Sequence, residues 1–178
     1  MADRHTKEQR SRNMAAIHSS STKPEQKLRH ALWHQGFRYR VNDKRLPGKP
    51  DLVLPKYHTV VFVHGCFWHG HKDCKYYTVP ETNTDFWVAK VARNQERDQE
   101  VWRKLEAKGW SVIIVWECQL KKTVLEDTVN RVAVEIRHNG EILRCAQNDR
   151  RKAREEYRRE RRILKERKRT LLEEVKSM

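Results

Sequence analysis

The alternation of apolar and polar positions in the first third of the chain predicts one helix followed by three short strands. The helix begins at Thr22, which forms a capping box with Glu25, and apolar residues then recur at helical spacing. Residues 37–41 alternate as a half-buried strand does, and the apolar runs 51–54 and 59–63 predict two further strands. We therefore expect a sheet to form directly after the first helix.

The middle of the chain continues with a helix, a strand and another helix. Apolar positions predict a helix over 84–108, and the nearly continuous β-branched run at 110–116 predicts a central strand that is covered on both faces. A further helix is expected near 123–137. This order of elements predicts an α/β fold in which helices and one sheet form a single sandwich.

Composition narrows the class of protein. The chain has 178 residues and a formal net charge of +15, which favours a polyanionic partner, nucleic acid being the commonest. No run approaches the roughly 18 consecutive apolar residues of a membrane helix, and the N-terminus lacks the apolar segment of a secretory signal. We therefore expect a soluble intracellular protein that has no membrane partner.

The C-terminal segment adds its own charge. Residues 149–178 carry 13 Lys and Arg against 7 Asp and Glu, a net charge of +6. The segment fits a solvated helix of mixed charge, although binding to DNA phosphates, to RNA or to a partner helix stays open. Its thin apolar seam is shorter than the three to four heptads that a coiled coil needs.

An aspartate after a Gly/Pro turn is the first candidate for chemistry. Asp51 would supply one of the carboxylates that Mg²⁺ requires, and Glu25 of the first helix would lie near it. Equally, the two residues could serve only a turn and a helix cap. The Glu-x-Lys pattern that many metal-dependent nucleases carry on the next strand is absent, and His64 and His69 stand where a base is needed.

Cysteine and histidine cluster at 66–74, and Cys118 ends the late apolar strand. In a reducing cell such clustering favours a metal over a disulfide. A closed Cys₃His zinc site would use Cys66, His71, Cys74 and Cys118. Asp73 is a competing oxygen ligand, and the alternative is a set of reduced, buried thiols. Cys145 is expected to be a plain thiol.

Aromatic residues fall into two groups. Phe67 and Trp68 lie inside the metal loop, where there is little core to fill, so they favour a surface role such as stacking on bases or wedging between them. Trp33, Trp110 and Trp116 are expected to pack in the core.

Taken together, these segments resemble the very short patch repair (Vsr) DNA mismatch endonucleases over about residues 4–137. The resemblance is carried by Ser11-Arg-Asn-Met14, Leu46-Pro-Gly-Lys-Pro-Asp51, His64-Gly-Cys-Phe-Trp-His69, Phe86-Trp-Val-Ala-Lys90 with Asn94 and Arg97-Asp98, and Gly109-Trp with Val115-Trp-Glu-Cys118. The segment from His64 to His69 is the most specific of these.

The resemblance implies a restriction-endonuclease-like three-layer α/β sandwich with a central mixed β-sheet and a structural zinc site. The basic, helical C-terminal extension has no counterpart in the family. We therefore expect a DNA-contacting arm at 1–22, an endonuclease domain at 23–138 and the extension at 139–178. It implies Mg²⁺-dependent nicking on the 5′ side of the mispaired T in T·G mismatches, which arise when 5-methylcytosine deaminates. The enzyme would act as a monomer in the bacterial cytoplasm on double-stranded DNA, with repair proteins as further partners.

The resemblance also assigns roles to individual residues. Asp51 is similar to the family's magnesium ligand, with the Val63 backbone carbonyl beside it, and His69 to its general base, while His64 and Glu25 are similar to supporting catalytic residues. The zinc ligands would be the Cys₃His set named above. The DNA-contacting residues would be Met14, Phe67, Trp68 and Trp87 as wedges, and Lys90 and Asn94 as readers of the mispair.

Two departures from the family pattern stand out. Val63 replaces the usual Thr, which keeps a carbonyl but loses a hydroxyl, and one extra residue separates His71 from Cys74. Two alternatives stay open: a related endonuclease that acts on matched DNA, and a catalytically idle, zinc-stabilised DNA-binding protein.

Overall fold

Three long helices and a three-stranded sheet make up the described part of the chain. A computed structural model describes Glu8, Gln9, Arg12 and residues 21–176, with side chains as far as 162. The elements are α1 (Lys23–His34), β1 (Leu52–Leu54), β2 (Thr59–His64), α2 (Thr84–Glu106), β3 (Ser111–Trp116) and α3 (Leu125–Lys176). Short 3₁₀ turns cover Pro55–Tyr57 and Glu117–Leu120.

The sheet is mixed, with β2 in the middle. β1 pairs antiparallel with β2, and β2 pairs parallel with β3, so that Val63 lies across from Val115. The predicted α/β class and mixed sheet are therefore confirmed. The expectation that residues 110–116 form the central strand is wrong, because β3 pairs with β2 alone among the described strands.

A fourth strand at 37–41 was also expected, and the structure corrects this. Only Arg40 pairs, through an isolated antiparallel bridge with Val53. The physical reason lies in β1, which Pro50 and Pro55 confine to three residues, since proline has no N–H to donate to a sheet. The segment at 37–41 can therefore form only one bridge with so short a strand.

Side chains alternate between two cores on opposite faces of the sheet. On one face, Leu52, Val61 and Ile113 pack with α1 and with the first turns of α3. On the other face, Val60 and Phe62 pack with Leu105 of α2. The period of two along each strand sends successive residues to opposite faces, so helices cover the sheet on both sides.

The start of α1 follows the predicted capping box. The Thr22 side chain accepts from the Glu25 N–H, the Glu25 side chain accepts from the Thr22 N–H, and Pro24 occupies the first turn. Gly36 then ends the helix with a φ of +87°, a left-handed conformation that glycine adopts without strain. This cap matters for the site because Glu25 is buried and close to Asp51.

The chain divides into two compact units, residues 1–139 and 140–178. In the first unit, α3 contributes Val129, Val132 and Ile136 to the core. In the second unit it is a helix whose described side chains are almost all exposed. Among the described residues, no helix combines the length and the apolar character that crossing a bilayer requires.

Candidate active site

Asp51 and the end of β2 meet at one edge of the sheet. Because β1 runs antiparallel to β2, the residue before β1 lies beside the last residues of β2. The main-chain N–H of Val63 donates to Asp51 Oδ2 over 2.7 Å. The carboxylate is thereby fixed next to His64, which ends the strand.

The Val63 carbonyl faces the same side as Asp51. In an antiparallel pair, the N–H and C=O of one residue point to the same neighbour, and the N–H of Val63 points at Asp51. Continuing the register from Leu52 and Val61 sets Pro50 across from Val63. Proline cannot donate to that carbonyl, so the oxygen is left for another partner.

Arg29 links the helix cap to this edge. Its Nη2 donates to Glu25 Oε2 over 2.8 Å and to the Asp51 main-chain oxygen over 3.2 Å. Burial raises the pKa of Asp51 to about 6, although the hydrogen bond from the Val63 N–H acts to lower it. The neighbouring Glu25 carboxylate raises this pKa further. A buried carboxylate beside a second acid and a main-chain carbonyl is the oxygen-rich donor set that Mg²⁺ takes, so these residues fit the metal.

Two histidines stack beside the same edge. The rings of His64 and His69 lie 3.8 Å apart at an angle of 14°. His69 Nδ1 is hydrogen-bonded to Asp98 Oδ2, which leaves Nε2 of His69 free of that contact. Burial, followed by the neighbouring His69, lowers the pKa of His64 to about 4, so His64 is neutral at pH 7.

His64, His69 and Asp98 also hold three possible ligand atoms within 4.8 Å of one another. Nearly parallel stacked rings keep their in-plane lone pairs side by side. This arrangement suits an oriented base better than a chelate, because ligand lone pairs must converge on one point to bind a metal.

One turn of α2 supports the loop that carries His69. Asn94 donates to the Trp68 carbonyl over 2.8 Å, and Gln95 donates to the His69 carbonyl over 3.1 Å. Gly70 has a φ of +60°, and a Cβ there would lie 2.6 Å from Gln95 Nε2. The helix and the loop are therefore in close contact where glycine is required.

The four predicted zinc ligands come together. Cys66, His71, Cys74 and Cys118 place one ligand atom each within 4.8 Å of one another. The sulfurs of Cys66 and Cys118 lie 3.6 Å and 3.5 Å from His71 Nδ1. Zinc–sulfur bonds of about 2.3 Å and zinc–nitrogen bonds of about 2.0 Å at tetrahedral angles require a sulfur–nitrogen distance of about 3.5 Å, so the set fits zinc. Asp73 is not a member of this group.

Burial and hydrogen bonds shift the pKa values of the three thiols in opposite directions. Burial raises the pKa of Cys66 to about 12 and also raises the pKa of Cys118, whereas the main-chain N–H of Tyr76 lowers that of Cys74. A metal replaces the thiol protons when it binds. The His71 ring stacks on Trp116 at 4.1 Å and 2°, which fixes its orientation. Cys145, in the second unit, is exposed and is not a member of this group.

Aromatic rings gather around the loop. The Phe67 ring centroid lies 5.2 Å from those of Trp68 and Trp87, and the two indole rings lie 6.1 Å apart. All three side chains are partly exposed. The expectation that Trp33 packs in the core is wrong: it is 49% exposed, and Arg38 lies over its ring at 3.9 Å.

Of the other three residues that are predicted to contact DNA, the two that the structure describes differ in their exposure to solvent. Lys90 is exposed on α2. Asn94 is 8% exposed and donates to the loop, so contact with a base stays a prediction. Met14 lies outside the described residues.

Three side chains that hold the site together were not predicted from the sequence: Arg29, Gln95 and Asp98. Arg29 and Gln95 carried no signal, because a polar residue on a helix is usually solvated. Asp98 offered one, since a carboxylate four residues after Asn94 shares its helix face.

The fold and site define an α/β protein with a carboxylate, a histidine–aspartate pair and a Cys₃His cluster at one sheet edge. Residues 2–76 match the family model described as DNA mismatch endonuclease Vsr. A type II nicking enzyme, V.NmeAIP, of Neisseria meningitidis is 52% identical over 138 residues, which are 77% of this chain and 98% of the relative. The DNA mismatch endonuclease Vsr of Escherichia coli is 48% identical over 68% of this chain and 77% of its own length.

The chain therefore belongs to the Vsr family, and it is an endonuclease. The 138 aligned residues include nearly the whole length of the nicking-enzyme relative. The other 40 of the 178 residues of this chain have no counterpart in that alignment.

Proposed function

We propose that this endonuclease nicks one strand of duplex DNA on the 5′ side of the mispaired T in a T·G mismatch. The observation that carries the proposal is the His69–Asp98 pair, stacked on His64 beside Asp51. A histidine held through one ring nitrogen by a carboxylate is the usual arrangement of a general base.

Hydrolysis needs a cation at the scissile phosphate, and the sheet edge offers donors for it. Asp51 and the Val63 carbonyl would hold Mg²⁺, since both face the same side of β2. The ion would supply charge neutralisation at the phosphate and at the leaving 3′ oxygen. The valine at position 63 is compatible with this role because the contact uses only the main chain.

His69 acts on the attacking water. With Nδ1 donating to Asp98, Nε2 is the atom that accepts the proton. His64 packs against the ring and stays neutral, so it adds no charge that would compete for the proton. Glu25 acts indirectly, because Arg29 connects its carboxylate to the Asp51 main chain.

The Cys₃His set would hold a structural zinc ion. Such an ion would join the loop at 66–74 to Cys118, directly after β3. From the other side, Asn94 and Gln95 hold the main chain of the same loop. The loop would therefore be anchored at its ends by the zinc ligands and in its middle by α2, which would keep His69 and the aromatic residues in place.

Mismatch selectivity would come from the aromatic cluster. Phe67, Trp68 and Trp87 expose rings next to the proposed base and would wedge beside the mispair. Unstacking costs a few kcal/mol, and a mispair costs less to disrupt than a matched pair. Lys90 would contact the opened site, with Met14 of the N-terminal arm pressing from the other groove. We propose that the enzyme acts as a monomer in the cytoplasm.

The test compares a labelled duplex carrying one T·G mispair with its matched T·A twin, with Mg²⁺ and without it. We expect a Mg²⁺-dependent nick only 5′ of the mispaired T. Asp51→Asn and His69→Gln should lower its rate sharply, to a residual level that single-turnover assays still measure, whereas Asp127→Asn and His30→Gln, which alter exposed residues on α3 and α1, should leave it unchanged.

Other outcomes lead to other functions. Equal cutting of both duplexes would indicate an endonuclease of matched DNA. Binding without cutting in any sequence context would indicate an idle DNA-binding protein. Undiminished nicking by Asp51→Asn would overturn the site assignment.

A further inference from the structure

One face of the C-terminal helix consists entirely of arginine over residues 149–162. Within 149–162, six arginines lie in an arc of about 120° at 3.6 residues per turn, and no other residue type of this segment falls in that arc. They are Arg150, Arg151, Arg154, Arg158, Arg161 and Arg162. We call this the arginine face. The acidic residues of the segment, and the two other basic residues, lie on the rest of the helix.

Among the described side chains, most of the charge of this face is not neutralised. All six side chains are exposed. Arg151 approaches Glu155 at 4.0 Å, and Arg161 lies over the Tyr157 ring at 5.9 Å. Among the described side chains, Arg150, Arg154, Arg158 and Arg162 have no ion pair. A solvated helix of mixed charge usually pairs opposite charges at positions i and i+4. The separation of positive from negative side chains on this helix therefore needs another explanation.

We propose that the arginine face binds the phosphate backbone of duplex DNA and adds affinity that is independent of the mismatch. The guanidinium fork matches phosphate oxygens in two-point contacts. The 12 steps from Arg150 to Arg162, at 1.5 Å each, give the face a length of about 18 Å. Several phosphates of one DNA strand lie within that length. This inference rests on the DNA substrate of the family and does not depend on the T·G specificity proposed above.

The composition of the face favours a duplex over other polyanions. Binding of single-stranded nucleic acid relies on aromatic rings on which bases stack, but Tyr157 is the segment's only aromatic residue and lies outside the arc. A protein partner would need buried apolar anchors, and the arc contains none. What the face offers is positive charge and hydrogen-bond donors.

The experiment compares two double variants with equal loss of charge. Arg154→Gln with Arg158→Gln removes two members of the arginine face, whereas Lys152→Gln with Arg159→Gln removes the two basic residues of the segment that lie off it. The affinity of the full chain for a matched duplex is measured between 50 and 200 mM KCl without added Mg²⁺. Each phosphate contact contributes about 0.9 to the slope of log K against log[salt].

We expect the first variant to lower the steepness of that slope by about 1.8 and the second to leave it nearly unchanged. Equal changes in both variants, or no change in either, would overturn the proposal. Tighter binding to single-stranded RNA than to the duplex, lost in the first variant, would also overturn it. Selective nicking of the T·G duplex should persist in both variants, and its absence from the unaltered chain would count against the mismatch proposal alone.

Discussion

Replacing Asp98 by Asn tests the proposed base most directly. The carboxylate contacts His69 Nδ1 and is 12% exposed, so no water-filled surface compensates for its loss. A hydrogen bond to a charged group contributes about 1.5–3 kcal/mol. At about 1.36 kcal/mol per factor of ten, the nicking rate should fall by roughly 10- to 150-fold.

The assay is single-turnover nicking of the T·G duplex with saturating enzyme, so that a change in DNA affinity does not enter the rate. Arg97→Gln is the neighbouring control, because Arg97 is exposed and only 3.7 Å from the Asp98 carboxylate. If Asp98 acts by orienting His69, Asp98→Asn should have little further effect in the His69→Gln variant. Independent, multiplying losses in the double variant would refute the reasoning, as would a full rate in the single variant.

Three further predictions concern the supports of the site. Cys118→Ser should lower the zinc content measured by elemental analysis and lower Tm by about 6–12 °C if it costs about 3 kcal/mol, whereas Cys145→Ser should change neither. Gly70→Ala should lower the free energy of unfolding in urea by more than Gly36→Ala does. An alanine in the left-handed conformation costs about 1–2 kcal/mol at either position, but only at position 70 would its Cβ also collide with side chains of α2. Arg29→Lys should slow nicking while DNA affinity, measured by anisotropy, stays unchanged, because one ammonium cannot reproduce both contacts of the guanidinium; an unaltered rate would remove Arg29 from the site.

Local chemistry was predictable from the sequence where a few neighbouring residues decide it. The Thr22–Glu25 box, the glycine after α1 and the helix at 84–108 needed only short-range rules, and α2 was found at Thr84–Glu106. The Cys₃His set was predictable from residue chemistry, although Cys118 had to be brought from 44 residues beyond Cys74 by the parallel pairing of β2 with β3.

The features that the sequence did not predict depend on contacts between distant parts of the chain. The segment at 37–41 has the alternation of a strand, but its only available neighbour is three residues long. Asp98 is one polar residue among many on a long helix, and its role depends on a loop about 30 residues earlier in the chain. Trp33 lies on the outer side of α1, where its size gave no indication of exposure.

The support of the loop by α2 has a consequence for the newly made chain. Asp51, His64 and His69 are synthesised before Asn94, Gln95 and Asp98, which hydrogen-bond to the loop and to the proposed base. The same helix also packs in the second core through Leu105. If His69 is the base, a partly synthesised chain would carry its catalytic residues in an inert form, and the ability to nick DNA would arise only once α2 has packed against the loop.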